Sequence, residues 1–543
     1  MNSLPPEILD IILDFHKHHY GTLFSLALTC RDLAEPALSR LYDIFFKDNF
    51  RDKPDNPKEY VEPPEKTLLR WKTVLHSSLV SRSTGRCRTY LPYYRYVQYL
   101  DLIELSHCLH STDQTLIQEL TAGSLKCILP PEANAYGYKT PNQRLCTALG
   151  RIFFNAPRTI RELSVPLITD HIFLLKWIPR MRGLHALYVE SGLAIVGEVN
   201  SFIKRFCPDL QKIAVKYFPN YHIFDEEDPG YWAFRFLNGL RPNTLKHLDM
   251  GDGLPLGPSA FHAISHHFDT LTVLKINNIG EPMASELCTT HPPQKLETLE
   301  IGEDVETPLP FPCAVGEWIC ESRRLRHLQL RGQMVDAHVI RHVLTSPNLT
   351  LETFGVASDG DKVDLDGFSP YESLYEHLPT QKGLKELKIE VDEHYRGENL
   401  ELLFDSLRKL HSLRALDIVK ATSSGRSRQI ANLASSLPQL ERLKVCGGDL
   451  DNSFWRSLKV PKLRHLSIQC QEIWAGPNRN NFRFTRQGVL RFIRRLGPQN
   501  EGFLLEIDHP FSGVHAISSE EDHRRIREEL SAHLKGTFLL VER

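Results

Sequence analysis

The 543-residue chain has no Cys-x-x-Cys pair, only 5 methionines and 6 tryptophans, and almost no net charge. Each shortage removes a class of protein. A formal charge of −2, from 65 Lys and Arg against 67 Asp and Glu, excludes a globally basic nucleic-acid binder. No run approaches the roughly 18 apolar residues of a membrane-spanning helix, so no membrane partner is expected. The opening stretch carries Glu7, Asp10 and Asp14 and no Lys or Arg, unlike the basic start of a signal peptide or an Arg-rich transit peptide. The 11 cysteines scatter from Cys30 to Cys470, the closest two being Cys313 and Cys320, and are expected to be reduced core thiols of an intracellular protein. No compelling basic import run separates cytoplasm from nucleus, and both stay open.

Catalytic signatures are also missing. There is no His-Glu-x-x-His, Gly-x-Ser-x-Gly or phosphate-loop pattern; Gly251 to Gly257 lacks the Lys-Ser or Lys-Thr that a phosphate loop needs and reads as an ordinary loop. His16, His18 and His19 have no Cys companions and read as an exposed turn rather than a metal site. No enzyme, no cofactor and no metal are therefore expected.

What is present is an ordinary globular composition, 41% hydrophobic and 24% charged, able to bury a large core. In the first fifty residues Ser3 can cap a helix, Pro5 and Pro6 suit its first turn, and Glu7 complements the helix dipole. Ile8, Leu9, Ile12 and Leu13 make an apolar stripe, and the pattern breaks from His16 to Gly21. A second stripe holds Leu23, Leu26, Ala27 and Cys30; a third holds Leu33, Ala37, Leu38, Leu41 and Phe45. Three helices this short have little core, and such units need a staple or a partner.

The residues Leu4-Pro5-Pro6-Glu7-Ile8-Leu9, Ile12-Leu13 and Leu26 to Leu33 resemble an F-box over positions 4 to about 46. Leu41-Tyr42 stands where the usual closing Trp would be, a variant familiar from fungal F-box proteins. The resemblance implies docking onto the Skp-type adaptor of a cullin-RING ubiquitin ligase, the SCF complex, through Leu4, Pro5, Ile8, Leu9, Ile12, Leu28, Cys30 and Leu33. Without the resemblance the same residues describe an unrelated helical hairpin.

Residues 47–67, with Pro54, Pro57, Pro63 and Pro64 among mixed charges, read as a solvated linker. Residues 68–155 read as a helical and degenerate repeat region, with a helical pattern at Trp71, Val74 and Leu75. Arg82, Arg86 and Arg88, like Arg483, Arg486, Arg491, Arg494 and Arg495, are expected to be solvated faces, since no nucleic-acid module accompanies them.

The rest repeats one pattern, apolar-x-x-apolar-x-apolar, starting at Ile160, Leu184, Leu210, Leu245, Leu271, Leu296, Leu325, Leu351, Leu384, Leu413, Leu440 and Leu463. From 160 to 463 is 303 residues in 11 steps, an average of about 27.5. Val97, Leu100 and Leu102 suggest an earlier copy. Helix-compatible stretches lie between, such as Asn399 to Leu410 and Ser427 to Leu437. The pattern resembles leucine-rich repeats and predicts an α/β solenoid, parallel strands on a concave face and helices on the convex one, over 156–510, closed by a cap at 511–543. Gln333, Asp304, Gly448 and Gln471 stand where the family has Asn or Cys, so its buried Asn ladder is expected to be missing. Loop insertions are expected at Tyr217 to Trp232 and Asp359 to Tyr375.

Residues between the apolar strand positions should face the inner surface, and of these His247, Asp249, Glu300, His327, Gln329, Lys388 and His465 are the candidate target-binding residues. A mixed-charge surface with few aromatics suits a protein target better than a small molecule. These readings combine into a non-catalytic substrate receptor of an SCF-type ligase. The alternative is a non-degradative scaffold that uses the same adaptor contact for assembly.

Overall fold

A computed structural model describes residues 5–16, 20–29, 31–43, 71–74, 97–103, 160–166, 171–195, 197–217, 231–252, 256–277, 279, 281–303, 311–332, 334–357, 370–390, 398–419, 427–446, 450–469, 485–509 and 520–542. The chain begins with three helices, α1 (Pro6–Phe15), α2 (Tyr20–Thr29) and α3 (Arg31–Asp43). Pro6 fits the first turn of α1, where amide donors have no helical partner, and Pro5 is its N-cap; Ser3 lies outside the described residues. Leu13, Leu23, Ala37, Leu38 and Leu41 are buried between the helices. Arg40 of α3 reaches back to Asp10 and Asp14 of α1, each at 2.8 Å, a largely solvated bridge worth at most about 1 kcal/mol.

Contacts divide the chain into two units, Met1–Leu271 and Thr272–Arg543. In the first, β1 (Tyr99–Asp101), β2 (Glu162–Val165), β3 (Ala186–Ser191), β4 (Lys212–Tyr217) and β5 (His247–Asp252) pair in parallel in chain order. The second holds β6 (Val273–Ile276), β7 (Thr298–Glu303), β8 (His327–Gly332), β9 (Thr353–Ala357), β10 (Glu386–Glu390), β11 (Ala415–Val419), β12 (Arg442–Cys446), β13 (His465–Gln469), β14 (Leu504–His509) and β15 (Thr537–Glu542), again parallel and in chain order. From β2 onward helices connect successive strands, giving the α/β leucine-rich-repeat solenoid that the sequence period predicts.

The periodic apolar residue two positions ahead of each of β1 to β13, from Val97 to Leu463, is buried. The last two strands break that rule. Gly502 and Lys535, both at positive φ, hold the leading position ahead of β14 and β15, and Phe503 is buried beside the first of them. Within the segment 511–543, expected as a cap, the described residues form a helix, Glu520–Leu534, followed by β15 paired to β14.

Two expected loops are partly helical. Tyr231–Asn238 and Pro370–His377 begin inside the insertions predicted at 217–232 and 359–375, the second because Pro370 opens a turn whose Tyr371, Leu374 and Tyr375 are buried. Of the cysteines expected in the core, Cys207 is buried and burial pushes its thiol up to about 12, but Cys313 is exposed on the helix Pro312–Glu321. The linker 47–67, most of the degenerate repeat region 68–155, and the expected Asn-ladder positions lie outside the described residues.

Where helices turn back into strands, buried polar side chains tie one repeat to the one before. Gln381 accepts from the Leu351 amide at 3.2 Å and donates to the Leu344 carbonyl at 2.9 Å. Asn500 donates to the carbonyls of Leu463 at 2.6 Å and Pro461 at 3.1 Å. Cys207 lies 3.3 Å from the Met181 carbonyl, and His267 Nδ1 accepts from the Leu245 amide at 3.5 Å. Gln381→Leu keeps the volume but orphans the buried Leu351 amide, while the Leu344 carbonyl keeps the Thr380 hydroxyl at 2.6 Å, so urea denaturation should show a loss of about 1–3 kcal/mol.

His267 adds a pH dependence. Burial, then the neighbouring His266, pushes its pKa from 6.5 down to about 4, so the unfolded chain binds the extra proton between those values. Its contribution is complete above pH 6.5 and is lost as pH falls toward 4; stability measured over that window should fall less steeply in His267→Gln.

Candidate docking surfaces

The N-terminal helices leave apolar side chains outside. Ile8, Ile11, Ile12 and Phe15 fall at i, i+3, i+4 and i+7 of α1 and therefore share one face; Phe15 is 80% exposed and Ile11 65%. On α2 Phe24 and Leu28 are one turn apart and also exposed, Leu28 to 72%. These six make up half of the twelve exposed large hydrophobic residues among the described residues, which concentrates apolar surface in a segment of under thirty residues.

Of the residues carried over from the F-box resemblance, Pro5, Ile8, Ile12 and Leu28 are exposed. Leu9 and Leu33 are half-buried, and Leu4 and Cys30 lie outside the described residues. Motif matching missed Ile11, Phe15 and Phe24. The signal that finds them is helical spacing, because the same α1 turns that bury Leu13 carry Ile11 and Phe15 to the opposite side.

The second surface is the polar side of the strands. In the first unit the register aligns Asp101, Ser164, Tyr188, Ala214 and Asp249 in one row. Burial, then the charges of Glu190, Asp249 and Asp101, push the Tyr188 phenol up to about 12, so it stays protonated as a donor. Lys216 pairs with Glu190 at 3.5 Å. His247 is buried and Asp249 half-buried.

In the second unit the row runs Lys275, Glu300, Gln329, Gly355, Lys388, Asp417, Lys444, Ser467, Glu506. Its charges largely answer one another from strand to strand. Glu300 is only 9% exposed and lies between Lys275, at 3.7 Å, and Arg331. Glu386 takes Arg442 at 3.2 Å, two strands away, and Asp417 takes Lys444 at 3.8 Å. His465 Nε2 is 3.1 Å from Glu506, whose carboxyl is held below its ordinary range first by that hydrogen bond. His327 Nδ1 is 3.0 Å from the Thr353 hydroxyl. Along the leading edge Glu352 bridges Arg326 at 3.0 Å and Lys385 at 2.6 Å, and the Lys385 bond holds its pKa down.

The seven candidate target-binding residues thus divide. His247 and Glu300 are too buried to offer a side chain without rearrangement, whereas Asp249, His327, Gln329, Lys388 and His465 are half-buried on the polar face. Glu300 and Gln329 are neighbours in register; His327 and His465 sit on β8 and β13 and do not meet. Among the described residues no group of three His, Cys, Asp or Glu could hold a metal ion. Arg486 and Arg494, expected as a solvated face, instead brace the helix Arg486–Arg495 against Asp522 and Glu529 of Glu520–Leu534. No helix among the described residues is long and apolar enough to cross a membrane.

No protein-family model matches the chain, and no curated protein matches it. Among solved structures it is similar to a chain of the TLR13–ssRNA13 complex, with 12% identity and a TM-score of 0.33 over 72% of this chain. The match covers 51% of the TLR13-complex chain, about half its length. It is also similar to a chain of the Rad7–Elc1 complex from yeast, with 12% identity and a TM-score of 0.37 over 70% of this chain and 90% of that one.

The contrast between α1–α3 core and ridge gives a direct check. Leu23→Ala removes a side chain with no exposure and should cost about 2–5 kcal/mol, read as lost amide-exchange protection across residues 6–43. Leu28→Glu alters an exposed site and should leave that protection within about 0.5 kcal/mol of the parent.

Proposed function

We propose that the protein is a non-catalytic substrate receptor of an SCF-type cullin-RING ubiquitin ligase. The observation that carries this reading is a pair of exposed apolar ridges, Ile8, Ile11, Ile12 and Phe15 on α1 and Phe24 and Leu28 on α2, on helices with few buried side chains among the described residues. Such a ridge is costly in water and suits burial against a partner's helices. Together with the F-box-like residues beneath it, it makes the α1–α3 segment the adaptor-docking element, Ile8, Ile12 and Leu28 contributing directly and Leu9 and Leu33 from below. The polar strand face would hold the target protein, through Asp249, His327, Gln329, Lys388 and His465. The chemistry is then positional: holding target lysines near a ubiquitin-charged enzyme raises their effective concentration without a catalytic group in this chain.

Co-purification with a Skp-type adaptor tests it. The intact chain should retain the adaptor, and Ile8→Glu with Leu28→Glu should lose it while circular dichroism stays unchanged, because a carboxylate there would be desolvated without a partner. Failure of the intact chain to bind, or undiminished binding by the double variant, would refute the adaptor reading.

A further inference from the structure

A groove on the helical side of the first unit carries three cations that pair with no carboxylate among the described residues. It lies between the helices Glu198–Phe206 and Tyr231–Asn238, which precede β4 and β5. About 580 Å³ in volume and open to solvent, it is lined by Asn200, Lys204, Arg205, Phe234, Arg235 and Asn238, with no carboxylate among the described residues of its walls.

Its floor is held in place. The Asn200 amide donates to the Arg235 carbonyl at 2.6 Å, and its Oδ1 fills the space a Cβ on Gly239 would need, so a side chain at 239 would force the clamp to move. Lys204, Arg205 and Arg235 are exposed, and none makes an ion pair among the described residues. The two arginines rest on rings instead: the Arg205 guanidinium lies 5.2 Å from the Phe206 ring centre and that of Arg235 lies 5.9 Å from Tyr231. Ring stacking orients a guanidinium while leaving its donors open. The contrast with the paired arginines of the second unit is direct, since Arg326, Arg442, Arg486 and Arg494 each meet a carboxylate.

We propose that this groove binds an acidic segment of a partner polypeptide. Three cations with no acid among them favour carboxylates, and two asparagine amides add neutral donors. An open groove suits an extended chain better than a small anion, which an enclosed pocket would have to shield from water. Among the described residues of its walls Phe234 is the only aromatic, whereas sequence-tolerant binding of a nucleic-acid strand uses a succession of stacking rings. The site is independent of the adaptor ridge.

The test is fluorescence anisotropy of a labelled oligoglutamate peptide titrated with the full chain, which keeps the charge of Asp225, Glu226, Glu227 and Asp228 in the measurement. Saturable binding is expected, weakened about tenfold or more in Lys204→Glu with Arg235→Glu, whose exposed side chains should leave the circular dichroism unchanged. A control of equal charge change, Lys409→Glu with Arg428→Glu, should bind within about twofold of the parent, and so should the Ile8→Glu, Leu28→Glu variant. Equal weakening by the control would reduce the effect to general charge and overturn the site. Absence of saturable binding would overturn it too, as would tighter, groove-dependent binding of a single-stranded oligouridylate of matched charge.

Discussion

One hydrogen-bonding device sets the register of the repeats. The carbonyl of the residue just ahead of a strand accepts two amides from the following repeat: Arg161 takes His185 at 2.7 Å and Ala186 at 3.1 Å, Glu297 takes Arg326 at 2.9 Å and His327 at 3.0 Å, and Glu441 takes Arg464 at 2.7 Å and His465 at 3.0 Å. An edge strand cannot satisfy these groups alone, and an unpaired buried amide or carbonyl costs about 1–3 kcal/mol. A one-residue slip would also turn every leading leucine to solvent. Backbone pairing and leucine burial therefore impose the same register, and that register decides which polar residues become neighbours.

Because the leading apolar residue recurs wherever this device operates, the sequence period located β1 to β13 directly. β14 and β15 were illegible for a local reason: Gly502 and Lys535 occupy the leading position, and the burial passes to Phe503 in the first case. The inter-repeat ties were invisible because no single residue type recurs. Gln381, Asn500, Cys207 and His267 do related work with different chemistry, which no one-letter pattern captures.

The two candidate surfaces differ in the same way. On α1 and α2 the exposed ridge follows from spacing alone, and Ile11, Phe15 and Phe24 are recoverable from the helical period once family motif positions are set aside. On the strand face the sequence tells which residues point outward but not which charges meet. Arg442 reaches Glu386 across 56 positions and His465 reaches Glu506 across 41, distances set by strand register rather than by local pattern. That is why Glu300, read as a candidate contact, proves to be a buried carboxylate between two cations.

These differences assign the surfaces different energetic roles. A partner of the apolar ridge gains by desolvation, and mass action would return part of that gain as stability to three helices whose core is little more than Leu13, Leu23, Ala37, Leu38 and Leu41. A partner of the second unit's strand face meets charges that already have partners, and must match the Glu300, Glu386 and Glu506 pairings or leave one of them unpaired and desolvated. Such a face supplies little non-selective attraction and penalises mismatched partners, so it contributes discrimination more than affinity. On the proposed reading, adhesion would be concentrated on α1 and α2 and selectivity spread over the strand face.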